Sequence, residues 1–443
     1  MWLLFLLALS IAFIVLATTK LQLHPFLALL ITAFGFGILS GMPLSDVVKS
    51  VNEGFGGTIG YIGIVILAGS IIGTFLEKSG GAYRLATSTL RLTGEKNVPL
   101  AMGFVGYVVS IPVFCDSGFV LLSSLMKALA RKAGITLAAS AIALSLGLYA
   151  THTMVPPTPG PVAAAGIIGA DLGLTIMWGL VVSLFALAAG WLFATQVAAR
   201  VYIDPGSHTD QALPSQVDSP SAFKSLLPIL LPILLIVLRS IAELPEKPLG
   251  TGPVIGLLGF LGQPVVALLI GVALATLLPK KLERAMLSSN GWVGEAILAA
   301  ATIIIITGAG GAFGKVLQNS GIAKVISENL AASPLGILLP FVIAAGIKTA
   351  QGSSTVAIIT TASLIAPLLA SLGLDSDTAK ALVVVMIGAG SMVVSHANDS
   401  YFWVVTQFSN MDVKTGYRLQ TLGTLVQGIA AAAVIYVISL IAL

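Results

Sequence analysis

The stretch Ile111-Pro-Val-Phe-Cys-Asp-Ser-Gly-Phe119 interrupts an apolar run that is too long to be a loop, and Lys348-Thr-Ala-Gln-Gly-Ser-Ser-Thr355 interrupts a second such run. Both stretches are polar and contain glycine. In a lipid bilayer, irregular backbone is tolerated only where protein buries it or where it lines a cavity. We therefore interpret the two stretches as the tips of two re-entrant hairpins that face one polar site.

The composition of the chain supports a membrane setting for these breaks. Of its 443 residues, 57% are hydrophobic and 9% are charged, whereas a soluble domain has about 25% charged residues. We predict an all-α polytopic membrane protein. The net charge of +4 is attributed to cytoplasmic loops rather than to nucleic-acid binding. The single cysteine, Cys115, excludes an intramolecular disulfide.

Apolar runs of about 20 residues, the length of a membrane span, recur in the same order in two halves of the chain. The first half has predicted spans at 2–19, 24–41 and 58–78, a hairpin near 97–131, a broken span near 136–169 and a long span at 172–201. The second half has predicted spans at 225–242, 252–278 and 292–318, a hairpin near 333–371, a broken span near 379–408 and a long span at 414–442. We interpret the polar segment 204–224 as a cytoplasmic linker between a first repeat, 1–203, and a second repeat, 225–443.

The two halves also resemble each other in sequence. Segment 69–80 aligns with 310–321 at an offset of 241 residues, and five of the twelve positions are identical. An offset of 244 aligns Thr151-His152 with Ser395-His396. Each half has an odd number of predicted crossings, so the second repeat is expected to be inverted relative to the first. Inverted repeats whose discontinuous helices meet near the midplane recur among transporters.

The basic residues predict the orientation. Fifteen Lys and Arg residues fall on one side of the predicted spans, two (Lys315 and Lys348) are assigned to neither side, and five fall on the other side: Lys49, Arg239, Lys247, Lys324 and Lys380. Because Lys and Arg concentrate in cytoplasmic loops, the first side is cytoplasmic. We predict a bacterial inner-membrane protein with both termini on the periplasmic or extracellular side. The first hairpin then enters from the cytoplasm and the second from outside.

The first tip places an acidic residue where a new helix begins. Pro112 removes a backbone donor and ends the incoming helix, and Asp116-Ser117 occupies a favourable N-cap position. Asp116 is the first candidate for proton coupling, because ionisable residues inside membranes commonly serve as proton relays. Ser117 and the amides of the helix start are candidates for binding an anion. The alternative is that Asp116 only caps the helix.

The second tip offers hydroxyl groups and a cation. Ser353, Ser354 and Thr355 follow Gln351 and Gly352, and hydroxyl groups beside free amides at a helix start suit a carboxylate. Lys348 lies about one turn before the break. We therefore assign Lys348, Gln351 and the three hydroxyl residues to a substrate site. Alternatively, Lys348 extends its ammonium to the surface or neutralises the C-terminal end of its half-helix.

The two broken spans contain further polar residues. Four prolines within 156–161 prevent a continuous helix. His152 and Thr153 precede them and are candidate substrate ligands, as are Asn398 and Asp399 in the second broken span. Asp399 is the second candidate for proton coupling, with His396 as a further one, because an unpaired Asp at this depth costs about 2.5–3.5 kcal/mol on insertion scales. For each histidine, simple packing explains the sequence equally well.

Motifs of enzymes and metal centres are lacking. The sequence has no HExxH, no Cys/His cluster and no aspartate-rich pair for Mg²⁺. Segment 308–315 is similar to a P-loop, but Val316 follows where Ser or Thr is needed. We expect no catalytic residue, no cofactor, no metal and no nucleic-acid partner. A membrane-embedded transferase or hydrolase is a distant alternative.

Several segments together resemble the gluconate permease family of proton symporters, within the broader group of elevator-type ion transporters. The resemblance runs essentially end to end and is carried by segments 24–29, 41–44, 56–58, 155–161, 350–357 and 398–403. It implies uptake of a sugar acid such as gluconate, coupled to protons, by a fold with inverted repeats. It also implies a homo-oligomer, most simply a dimer.

The chain departs from the family pattern in two places. Many members have Glu-Val where this chain has Asp116-Ser117, and His where this chain has Thr158. Both departures lie in the predicted site, so the substrate stays open among gluconate, another aldonate or uronate, glycerate and a hydroxy amino acid such as D-serine. Sodium-coupled transport of the same substrates and cation/proton antiport are the alternatives to proton symport.

Overall fold

The computed structural model describes residues 2–93, 97–205, 219–242, 248–250, 252–322, 336–396 and 399–443, and the regular elements in them are helices. The first half contains α1 (Trp2–Thr19), α2 (Pro25–Leu39), α3 (Leu44–Lys78), α4 (Gly81–Thr93), α5 (Val98–Val109), α6 (Cys115–Lys132), α7 (Leu137–Met154), α8 (Pro159–Ile168) and α9 (Leu172–Gln196). The second half contains α10 (Ala222–Ala242), α11 (Pro253–Leu261), α12 (Pro264–Ala275), α13 (Trp292–Asn319), α14 (Leu338–Gln351), α15 (Ser354–Ile365), α16 (Asp377–Met392), α17 (Ser400–Phe408), α18 (Val413–Gly416) and α19 (Leu422–Ala442).

Helices end and restart at the four breaks expected from the sequence. The breaks separate α5 from α6, α7 from α8, α14 from α15, and α16 from α17. Between α14 and α15, Gly352 has a φ of +89°, which glycine adopts without a steric penalty. Ser353 then caps α15, its hydroxyl accepting a hydrogen bond from the Val356 amide at 3.3 Å. Local sequence therefore determines where the chain turns.

Two helices in the first half differ from the predicted spans. Helix α3 begins at Leu44 rather than near residue 58. The prediction missed this start because Asp46, Lys49 and Glu53 lower the hydropathy of the segment, which nevertheless folds as a helix that packs against α13. Helix α4 lies between the predicted span 58–78 and the predicted hairpin near 97–131, where no element was predicted. Its apolar residues follow a helical period, and polar residues such as Arg84 occupy the other face, so it is amphipathic rather than uniformly apolar.

The span predicted at 252–278 is divided in two. Helices α11 and α12 are bent by 69° relative to each other. The bend falls at Gly262 and Gln263, and Pro264 begins the new helix, as expected for a residue whose fixed φ suits the first helical position. An apolar run of the right length for one span thus folds as two short helices.

The outward faces of the helices are suited to lipid. Five helices in the described ranges are long and apolar enough to cross a membrane, or seven when each of two bent helix pairs counts as one span. On α11, the side chains of Val254 and Phe260 are 78% and 61% exposed, and on α19 that of Ile441 is 84% exposed. Such large apolar surfaces are stable in hydrocarbon, and the chain is therefore a polytopic membrane protein.

Helices α3 and α13 cross through close contacts between glycines. A Cβ atom on Gly54 would collide with the carbonyl oxygen of Gly311, and one on Gly311 would collide with the side chain of Thr58. Small residues permit close approach of helices in membranes, where association depends on van der Waals packing rather than on the hydrophobic effect. Gly54 and Gly311 therefore set the distance between one long helix of each half.

We expect Gly54→Ala to lower the free energy of unfolding by about 1–3 kcal/mol, because the added methyl group overpacks this crossing. Gly57→Ala on the same helix is the matched control, since nothing lies within 4 Å of a Cβ atom there. The control should be neutral, or stabilising by up to about 1 kcal/mol from helix propensity. Thermal unfolding of both purified variants in detergent measures the difference. Equal melting temperatures would contradict the assigned close contact.

Equivalent glycines of the two halves contact the broken elements. A Cβ atom on Gly69 of α3 would lie 3.1 Å from the carbonyl oxygen of Pro157, in the break between α7 and α8. On α13, a Cβ atom on Gly310 would lie 2.7 Å from the hydroxyl of Ser363 on α15. Residues 69 and 310 are related by the 241-residue offset of the sequence repeat. Through these glycines, α3 packs against the first broken span and α13 packs against helix α15 of the second hairpin.

Two breaks meet near the centre of the molecule. Helices α8 and α15 pack against each other near their starting turns, where a Cβ atom on Gly160 would lie 2.9 Å from the side chain of Ile358 and 3.9 Å from the Cα atom of Thr355. The break that precedes α8 and the break that precedes α15 are thereby neighbours, although they come from different halves of the chain.

Candidate functional site

Lys348 and Asp399 form a buried ion pair. Lys348 Nζ lies 2.6 Å from Asp399 Oδ2, and the two side chains are 0% and 6% exposed. Lys348 comes from the last turn of α14, and its ammonium also donates a hydrogen bond to the carbonyl of Gly352 just beyond that helix. A buried charge is very costly unless it is paired and hydrogen-bonded. The pairing explains how both charges persist at this depth.

This pair resolves two expectations from the sequence. Lys348 does not extend to the surface, because its side chain is fully buried, and its bond to Gly352 matches the alternative in which it neutralises the end of its half-helix. Asp399 is not an unpaired aspartate. Its partner is 51 residues away in sequence, a separation that no local pattern indicates.

Hydrogen bonds from several elements fix the Asp399 carboxylate. Ser395 Oγ donates to Oδ2 at 2.5 Å, and the backbone amide of Tyr401 donates to Oδ1 at 3.1 Å. The second bond makes Asp399 the N-cap of α17. Bonds to an ionised carboxylate are shorter and stronger than neutral ones. The carboxylate therefore connects the end of α14 to the start of α17.

Two tyrosines extend the cluster towards α15 and α7. The Tyr149 hydroxyl is hydrogen-bonded to the Ser354 hydroxyl in the first turn of α15, and the Lys348 ammonium lies 5.9 Å from the centre of the Tyr149 ring, within reach of a cation–π interaction. The Tyr401 ring lies 5.0 Å from that of Tyr149, and its hydroxyl donates to the Ser145 carbonyl at 3.0 Å.

Asp116 lies beside the ion pair without being part of it. The N-cap of α6 is Phe114, without a side-chain cap, so the expectation that Asp116 caps the helix is wrong: the residue lies inside the first turn. Its carboxylate accepts hydrogen bonds from the Ser400 hydroxyl at 3.4 Å and from the Cys115 thiol at 3.7 Å. Ser400 directly follows Asp399 in the chain, which places two carboxylates close together.

His152 is buried next to Tyr149. Its ring stacks on that of Tyr149 at 6.5 Å and lies 6.0 Å from the ring of Phe114. Its Nδ1 atom is buried and has no hydrogen-bond partner in the described part of the chain. The hydroxyl of Thr153 donates to the Tyr149 carbonyl of its own helix at 3.1 Å. Of these two predicted ligands, His152 retains a polar atom that a substrate could satisfy.

The remaining predicted ligands lie around the same breaks. His396 Nε2 is 2.8 Å from the Thr349 carbonyl at the end of α14. Ser353 is exposed and Thr355 is half-buried in the start of α15, Ser117 is half-buried in the first turn of α6, and Gln351 ends α14. Asn398 lies outside the described residues. Of the residues at these breaks, His396 and Ser354 are tied by hydrogen bonds to the end of α14 and to Tyr149, whereas Ser117, Ser353 and Thr355 are placed there by their positions in the chain.

The cluster leaves one acidic side chain without a basic partner. Lys348 and Asp399 cancel each other's charge, whereas Asp116 makes no ion pair with any basic side chain of the described residues. Asp116 and Asp399 are near enough to interact electrostatically. Over the described ranges, no group of three or more His, Cys, Asp or Glu side chains is placed to hold a metal ion. The arrangement suits binding of a proton and of a small polar ligand.

Sequence reasoning missed Tyr149 and Tyr401. A signal for Tyr149 was available, because it precedes the predicted ligand His152 by three residues and residues at this spacing share a helix face. Tyr401 follows Asp399 by two residues within the predicted broken span near 379–408. Both tyrosines are at most 1% exposed, and aromatic residues in apolar helices are more simply interpreted as packing.

Comparison with known proteins identifies related chains. The family model described as "GntP family permease" matches residues 2–441. The chain is 35% identical to a gluconate permease of Pseudomonas aeruginosa, over 96% of this chain and 94% of the relative. It is 32% identical to the high-affinity gluconate transporter of Escherichia coli, over 92% of each chain, and 34% identical to the D-serine transporter DsdX of the same species, over 99% of each.

Solved structures show the same fold at lower identity. The chain matches the Alcanivorax borkumensis YdaH transporter with a TM-score of 0.65 and 17% identity, over 94% of this chain and 98% of that structure. It matches Neisseria gonorrhoeae MtrF with a TM-score of 0.66 and 16% identity, over 95% and 96%. These likenesses concern the fold alone.

Proposed function

Because the chain belongs to the GntP family of permeases, it is a membrane transporter rather than an enzyme, and we propose that it takes up a small hydroxylated carboxylate by proton symport. The substrate class rests on relatives named for gluconate and for D-serine. Both molecules carry a carboxylate and at least one hydroxyl group. The candidate site contains hydrogen-bonding groups for a carboxylate and for a hydroxyl group.

The observation that supports proton coupling is the lone carboxylate of Asp116. Since Lys348 already neutralises Asp399, an ionised Asp116 would face the substrate carboxylate as a second negative charge. Two unit charges about 6 Å apart repel by roughly 3 kcal/mol at an effective dielectric constant of 20, which is about a hundredfold in affinity. A proton on Asp116 removes this repulsion. By linkage, the proton and the substrate then favour each other's binding.

The proposed binding mode uses the helix starts at the two tips. Ser117 and the first amides of α6, together with Ser353, Ser354 and Thr355 of α15, would hold the carboxylate, since helix N-termini favour anions. His152, with its unpartnered Nδ1 atom, would bind a substrate hydroxyl. Asn398 is assigned the same role from the sequence pattern. Lys348 contributes to this site through its ion pair with Asp399.

We place these elements in two inverted repeats that undergo an elevator-type movement. The order of helices and breaks in the two halves, and the 241-residue offset that aligns segment 69–80 with 310–321, support this proposal. The two tips and the broken spans would move together against the first two spans of each repeat. Transporters with broken helices commonly carry substrate at such a junction of repeats.

Uptake into proteoliposomes tests this function. With labelled gluconate, an inward proton gradient and sodium-free buffer, we expect accumulation that collapses when a protonophore is added. Unlabelled D-serine and glycerate, added in excess, identify the preferred substrate by competition, and protein-free liposomes are the control. Accumulation that requires sodium, or uptake with no response to the gradient for any of these substrates, would overturn proton symport.

A further inference from the structure

We propose that the ammonium group of Lys348 is a resident cation: it occupies a monovalent-cation site, so that the transporter needs no inorganic ion there. The inference rests on the proposed function in taking this cluster as the transport site. It concerns a different step, because Asp116 is assigned to the mobile proton and Lys348 to a permanent charge.

The surroundings of the ammonium are those of a small hard cation. Lys348 Nζ contacts one carboxylate oxygen, Asp399 Oδ2 at 2.6 Å, and one backbone carbonyl, that of Gly352. Hard cations are bound by carboxylate and carbonyl oxygens. In transporters with discontinuous helices, unwound carbonyls and the C-terminal ends of half-helices coordinate the coupling cation. Gly352 provides such a carbonyl at the end of α14.

The position of Asp399 indicates a binding site and not only a structural pair. Its Oδ2 atom accepts hydrogen bonds from both Lys348 and the Ser395 hydroxyl, and its Oδ1 atom accepts one from the Tyr401 amide. The two oxygens that contact the ammonium come from Gly352, just after α14, and from Asp399, in the break before α17, while the Tyr149 ring of α7 lies 5.9 Å from the ammonium. The ammonium therefore links the break after α14 to the break before α17.

Other charged and titratable groups nearby do not replace the ammonium. Asp116 faces the cluster from α6 and adds negative charge, which favours a cation at this point. His152 faces it from α7, and its ring packs against Tyr149 rather than against Asp399. Removing the ammonium would therefore leave the Asp399 carboxylate and the Gly352 carbonyl buried without a positive charge between them.

Lys348→Ala and Lys348→Ser test this inference without any transport measurement. Each truncated variant should bind sodium at the vacated position, and the serine variant adds one oxygen ligand. We expect the melting temperature of each purified variant to rise by roughly 3–6 °C, in a saturable manner, when sodium chloride replaces choline chloride. The wild-type protein should melt at the same temperature in both salts.

The double variant Lys348→Ala/Asp399→Asn is the matched control and should lose the sodium response, because it lacks the carboxylate ligand. The inference is overturned if both single variants ignore sodium, if wild type responds equally, or if the double variant keeps the response. The single variants are purified in sodium chloride, because we expect bound sodium to keep them folded. A wild-type protein that takes up none of gluconate, D-serine and glycerate would contradict the proposed function and leave this assay unaffected.

Discussion

Asp116→Asn is expected to abolish the accumulation of substrate against its gradient while leaving exchange of substrate across the membrane intact. An asparagine has the shape of a protonated aspartate and carries no charge, so the repulsion of the substrate carboxylate disappears at every pH. The substrate then binds without a proton. A one-proton symporter in a gradient of one pH unit accumulates its substrate about tenfold, since one pH unit corresponds to about 1.4 kcal/mol. The variant should reach a ratio of about one.

Two assays on the same proteoliposomes separate these effects. Accumulation under an inward proton gradient measures coupling, and counterflow of labelled substrate into vesicles loaded with unlabelled substrate measures binding and movement alone. Wild-type affinity should weaken as pH rises, because the ionised form of Asp116 repels the substrate. The affinity of Asp116→Asn should be independent of pH over the same range.

Asp377→Asn provides the control for this prediction. Asp377 also lies in the first turn of a helix, α16, but its side chain is exposed and it is remote in sequence from the tips. This substitution should leave both assays unchanged. Accumulation by Asp116→Asn at the wild-type level would assign the proton to Asp399 or to a histidine instead.

Local patterns in the sequence predict much of the fold. Pro112, the prolines of 156–161 and Gly352 mark the breaks, because each disrupts a helix through its own backbone chemistry. The spans follow from uninterrupted apolar runs. The start of α3 and the whole of α4 could not be recognised in this way, since an amphipathic helix that packs on protein does not need to be apolar throughout.

The candidate site was predictable as a set of residues but not as a set of contacts. Lys348, Asp399 and Asp116 stand out because charge is rare in apolar segments. That Lys348 pairs with Asp399, while Asp116 contacts Ser400, depends on how helices distant in sequence meet. A single sequence contains no record of such pairings. That Asp399 is paired with a buried ammonium, while Asp116 has no basic partner among the described residues, therefore required the structure.

Lys348 and Asp399 should depend strongly on each other for the stability of the protein. In sodium-free buffer, Lys348→Met or Asp399→Asn alone should lower the free energy of unfolding by about 3–5 kcal/mol, because either change leaves one buried charge without its partner. Methionine preserves most of the apolar stem of lysine, and asparagine preserves the shape of aspartate. The double variant buries neither charge and should be more stable than either single variant. Reversible unfolding in mixed detergent micelles measures all four proteins.

An exposed ion pair on α3, Lys49 with Glu53, is the comparison for this set of single and double variants. Its side chains are 71% and 50% exposed, and Lys49 Nζ lies 3.9 Å from Glu53 Oε1. The corresponding substitutions there should change stability by at most about 1 kcal/mol, as is usual for solvated ion pairs. If the changes in the free energy of unfolding caused by the two substitutions at Lys348 and Asp399 instead add up in the double variant, the two residues are energetically independent. The ammonium would then have no special relation to Asp399, and its role as a resident cation would fail together with the charge balance that assigns the proton to Asp116.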